Sequence, residues 1–77
     1  MNFYFTFGTG EEYPFYGGWV QIKAYNADEA CDKFRARFPD HETGFLNCAF
    51  VYTEEEFKKT GMAEKGNFGF LCHELIE

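Results

Sequence analysis

From Asn2 to Phe7 the rings alternate, with Phe3, Phe5 and Phe7 on one side and Tyr4 and Thr6 on the other. That two-residue period predicts a half-buried strand. Gly8-Thr9-Gly10 ends it, and Glu11 to Gly18 carries Pro14 and Gly17-Gly18 among aromatics, which reads as an irregular hairpin connection. Trp19 to Tyr25 alternates again, with Val20, Ile22 and Ala24 opposite Trp19, Gln21, Lys23 and Tyr25. This is a second strand, expected to run antiparallel to the first. At Asn26 the period changes: Asn26 and Glu29 form a capping-box variant, and Ala27, Ala30, Cys31, Phe34 and Phe38 recur at helical spacing until Pro39 stops them. A helix is therefore predicted over 27–38.

Phe45 to Tyr52 is apolar on both sides, which points to a third strand in the centre of the sheet. Thr53 with Glu56 opens a short helix with acids at its start, Lys58 and Lys59 at its end, and Gly61 as its left-handed stop. A loop follows over Met62 to Asn67. Phe68 to Ile76 then reads as the last strand, with Phe68, Phe70 and Cys72 on one side and Leu71, His73 and Leu75 on the other. The order β-β-α-β-α-β predicts one α+β domain over residues 1–77. In that fold a two-layer, mainly antiparallel four-stranded sheet carries the main helix on one face, and a second short helix completes the domain.

Composition decides what fills that fold. The chain has eleven Phe, five Tyr and one Trp but only seven Val, Ile and Leu, so the core is made of rings. Each aromatic removes about 150–250 Å² from water, an advantage in a domain near the lower size limit for a single core. Periodicity assigns Phe3, Phe5, Phe7, Phe34, Phe38 and Phe50 to the interior. Tyr4, Trp19 and Tyr25 fall on the sheet face away from the main helix, where the aromatic loop and short helix, a partner or a second copy of the chain must cover them.

The formal charge is −6 and the pI near 4.8, which opposes direct binding to nucleic-acid phosphates or an anionic membrane. The acids are clumped as Glu11 and Glu12, Asp40 and Glu42, and Glu54, Glu55 and Glu56. The basic residues Lys33, Arg35 and Arg37 form a smaller group. No apolar run approaches the roughly 20 residues of a membrane span. Three widely spaced cysteines and a start without a secretory pattern lead us to expect a reducing cytoplasm.

Candidate chemistry is sparse. Cys72 and His73 are adjacent, and neighbours on a strand point to opposite faces, so they cannot act as a nucleophile and base on each other. His41 lies in a polar turn without a group to orient it. Cys31, Cys48, Cys72, His41 and His73 lack the short spacings that pin two metal ligands together, so no metal is expected. Glu54, Glu55 and Glu56 are explained by a helix N-terminus, and the glycine pairs by turns. Neither a cofactor nor catalysis is expected.

The segments Tyr13-Pro14-Phe15-Tyr16-Gly17-Gly18-Trp19, Phe34 to His41 and Gly44 to Met62 resemble short proteins encoded by phages and mobile elements of gut bacteria. That resemblance implies inhibitors of host defence, including anti-CRISPR proteins that occupy a nuclease's nucleic-acid groove, or sponges for signalling nucleotides. The first reading makes this chain a non-enzymatic inhibitor of a basic protein in a bacterial cytoplasm. Glu11, Glu12, Asp40, Glu42, Glu54, Glu55 and Glu56 would be its rim, and Tyr4, Trp19 and Tyr25 its anchors. The alternative is a sponge that holds a nucleotide between rings, with Lys33, Arg35 and Arg37 near its phosphates.

Overall fold

A computed structural model describes residues 1–65 and 71–77. The predicted strand positions Phe68 and Phe70 lie outside the described residues, as does the end of the predicted 62–67 loop. The elements are β1 (Asn2–Thr6), β2 (Trp19–Lys23), α1 (Ala27–Arg37), β3 (Phe50–Thr53), α2 (Glu54–Thr60), α3 (Met62–Lys65) and β4 (Cys72–Ile76). The chain is thus α+β, and the turn α3 replaces the start of the predicted loop.

Local chemistry sets the helix ends. The Asn26 side chain accepts from the Glu29 backbone N–H (2.8 Å), and Glu29 reaches back to the backbone N–H of Tyr25 (3.2 Å). At α2 the box is complete: Thr53 Oγ1 accepts from Glu56 N–H and Glu56 accepts from Thr53 N–H. Gly61 closes that helix in the left-handed region at φ 74°. The N-terminal caps satisfy backbone donors that the helices leave open, and at the other end of α2 Gly61 N–H donates to the open Lys58 carbonyl.

The sheet order is β3-β1-β2-β4. β1 pairs antiparallel with β2 and with β3, but β2 and β4 are parallel, so the sheet is mixed rather than mainly antiparallel. The cause is the pair of helical connections. β2 reaches β3 through α1 and β3 reaches β4 through α2 and α3, so β2, β3 and β4 all run the same way and β1 alone opposes them. The two crossovers travel in opposite directions across the sheet, and connections of one hand then lie on opposite faces.

Hence the molecule has a helix layer on each side of the sheet, not the two layers predicted. On one face Phe34 and Phe38 of the α1 segment pack on Phe3, Phe5, Phe7, Val20 and Ile22, with Phe5 stacked on Phe34 at 4.5 Å. On the other, Phe57 of α2 stacks on Tyr4 at 4.0 Å and meets Trp19 edge-on at 4.9 Å.

Two further expectations fail. The third strand is not central and not eight residues long: only Phe50–Thr53 is strand, at the edge, and Phe50 is 64% exposed instead of buried. β4 also departs from simple alternation, because its register slips at Trp19/Val20 so that Cys72 faces Trp19, Glu74 faces Val20, and His73 is left over. Cys72 and Leu71 consequently pack with Trp19 and Phe57, while His73 stacks on Phe15 at 4.3 Å and Ile76 joins the core under α1. Leu71, His73 and Leu75 do not share the face that strict alternation assigned them.

Candidate functional site

The predicted anchors separate. Tyr4 is 9% exposed and Trp19 4%, both covered by Phe57, so neither can anchor a partner. Burial, reinforced by Glu54 and Cys72, pushes the Tyr4 phenol above its ordinary range. Tyr25 stands apart from them, 86% exposed at the turn between β2 and α1. The aromatic loop does not cover the second face either. Its ends are joined by Gly17 N–H donating to Gly8 C=O (3.0 Å), and it turns Tyr13 and Phe15 onto Phe7 and Phe38 at the α1 side.

Three further rings, none of them predicted as an anchor, are exposed in segments that adjoin the end of β1. Tyr16 in the loop is 79% exposed, Phe45 in the turn after α1 is 67% exposed, and Phe50, opposite Thr6, opens β3. Glu11, Glu12 and Glu42 are exposed in the same loop and turn. Exposed acids and exposed rings therefore occur in the same segments. The signal in the sequence was the loop composition; the misassigned strand over 45–52 hid Phe45 and Phe50.

The remaining predicted acids are placed differently. Asp40 is taken up by Arg35 (3.1 Å). Glu54, Glu55 and Glu56 start α2 at the opposite end of β3, where Glu54 accepts from Asn2 Nδ2 (3.1 Å) and Glu56 is the capping residue. The seven acids thus form two groups at opposite ends of a strand, not one rim.

Lys33, Arg35 and Arg37 do not converge. Lys33 Nζ donates to the Lys23 carbonyl (2.7 Å) beside Glu29, Arg35 pairs with Asp40, and Arg37 crosses to Glu74 on β4 (3.0 Å). Lys33 does share an open cleft of about 230 Å³ with Lys23, Tyr25 and Glu29, but no second cation of the trio lines it.

Thiol chemistry is damped rather than activated. Burial pushes Cys48 up to about 11, with Cys31 adding to the shift, and it also raises Cys31 and Cys72. An activated thiol needs the reverse. His73 donates through Nε2 to the Gly17 carbonyl (2.9 Å), which ties β4 to the aromatic loop and leaves Cys72 behind the sheet. Among the described residues no three His, Cys, Asp or Glu side chains converge on a metal-sized site, and no helix is long and apolar enough to cross a membrane.

No family model matches this chain, and no curated protein or solved structure matches it either.

Proposed function

We propose that the chain is a small acidic binding protein, without catalytic activity, that inhibits a host defence protein by occupying its basic, nucleic-acid-binding surface. The resemblance to phage proteins suggests the role. The observation that carries the binding chemistry is the exposure of Tyr16, Phe45 and Phe50, together with Glu11, Glu12 and Glu42, in the segments that adjoin the end of β1. Interface energy concentrates in a few buried rings, while charges around them steer the encounter and select the partner's sign. With a net charge of −6 the long-range field favours a cationic protein surface.

The test is competition. Immobilised chain should retain a basic nucleic-acid-binding protein from a bacterial lysate, release it to duplex DNA, and release it as salt approaches about 1 M, where the screening length falls to about 3 Å. Joint reversal of Glu11→Lys, Glu12→Lys and Glu42→Lys should abolish retention. Retention unchanged by DNA and by the reversal would refute the proposal.

A further inference from the structure

The two edges of the sheet are built differently. β4 carries a register slip, a charged Glu74 and the Arg37 side chain drawn across to it. These are the devices by which proteins spoil an edge for further pairing. β3 lacks these three, and its one protection is its length of four residues. Its sequence Phe-Val-Tyr-Thr contains no charge, proline or glycine, its pairing with β1 is regular, and among the described residues β1 is its only strand partner. Phe50 and Tyr52 form a ring pair on one face of this edge (6.1 Å), and Val51 is exposed on the other.

The strand also connects the two separated acidic groups. Phe50 begins at the end bearing Glu11, Glu12 and Glu42, and Thr53 leads directly into Glu54, Glu55 and Glu56. Four strand residues span about 13 Å. The edge is therefore an apolar, hydrogen-bonding strip of that length with negative charge at both ends.

We infer that β3 is a docking edge which pairs with an extended segment of the partner, apolar at its centre and flanked by Lys or Arg on both sides. Strand addition would supply main-chain hydrogen bonds to the β3 backbone groups that face away from β1, apart from the Thr53 N–H, which the Glu56 cap already occupies; side-chain contacts on Phe50, Tyr52 and Val51 would read alternate residues, and the flanking cations would meet the two acidic groups. A second copy of this chain fits less well, since each copy brings a charge of −6 and self-pairing sets those charges against each other. The inference rests on the reading of the chain as a binder of a basic protein and adds where and how the partner sits.

The probe is the peptide Lys-Lys-Val-Thr-Val-Thr-Lys-Lys, titrated into the isotope-labelled full chain and followed by amide shifts and intermolecular NOEs. Shifts confined to Phe50–Thr53 and the acids flanking it are expected. They should weaken about tenfold in Val51→Lys and in Phe50→Ser, and about tenfold with glutamates in place of the peptide's lysines. Both replaced side chains are exposed, so circular dichroism should show an unchanged fold. Shifts that map to Tyr16 and Phe45 alone would overturn the edge while sparing the wider binding proposal. Equal binding of the glutamate peptide, a concentration-dependent dimer that shields Phe50–Thr53, or no shift at all would overturn it too. The charge-reversal competition decides the wider proposal separately.

Discussion

Replacing Phe57 with leucine should uncouple the second helix layer from the sheet by a measurable amount. Phe57 is 1% exposed and lies flat on Tyr4, with an interplanar angle of 3°, while its edge meets Trp19. Leucine keeps much of the apolar volume but loses both ring contacts, each worth about 0.5–1.5 kcal/mol beyond area burial. The expected cost is about 1–3 kcal/mol, against a total of roughly 3–5 kcal/mol for a core of this size. At about 4–8 °C per kcal/mol, the melting temperature should fall by about 5–20 °C. Phe57→Ala, at about 3–5 kcal/mol, should leave little folded protein at all.

Trp19 is the sole tryptophan, so its fluorescence reports this face without interference. In guanidinium titrations the midpoint of Phe57→Leu should drop while its native emission shifts to the red and becomes more accessible to acrylamide. A midpoint within about 0.5 kcal/mol of the parent, the ordinary range for a surface substitution, together with unchanged emission would mean that α2 does not hold the second face.

Two glycines in one turn make an internal comparison. Gly17 and Gly18 both have φ near 70°, but a Cβ on Gly17 meets open space while one on Gly18 runs into the Leu71 carbonyl and the His73 ring. Gly17→Ala should cost about 1–2 kcal/mol for the left-handed backbone alone, and Gly18→Ala clearly more by chemical denaturation. Thr53→Ala should cost about 1 kcal/mol by removing the α2 cap. The Glu56 carboxylate is held below its ordinary value of 4.5, first by the Thr53 backbone N–H and then by the Thr53 side chain. Its contribution is therefore present above that ordinary value and lost as pH falls through the lower folded one, so Glu56→Gln should flatten the acid limb of the stability profile.

Much of the framework was legible because the signals are local. The Asn26 and Thr53 caps, the Gly61 stop and the alternation in β1 and β2 each depend on residues a few positions apart, and all are present. The core under α1 followed from the same periods: Phe3, Phe5, Phe7, Val20, Ile22, Ala24, Phe34 and Phe38 are buried together. The candidate surface was less legible. Rings look alike in a sequence whether they face a partner or a helix, so the pattern leaves open which of the two covers Tyr4 and Trp19, and Phe57 of the short helix does. An edge strand that exposes Phe50 and Val51 shows the same two-sided apolar pattern as a central strand, which misplaced β3.

The amino-acid sequence by itself thus determined the α+β class, the capped helices, the ring-built core beneath α1 and the acidic charge. Tertiary structure alone decided the mixed strand order, the second helix layer over Tyr4 and Trp19, the slip that parts His73 from Cys72, and the exposed edge between two acidic groups. The reason is range. Caps and periodicity are set by bonds within one or two turns, whereas strand order and face coverage depend on crossovers that bring together residues such as Tyr4 with Phe57 and Trp19 with Cys72, more than fifty positions apart.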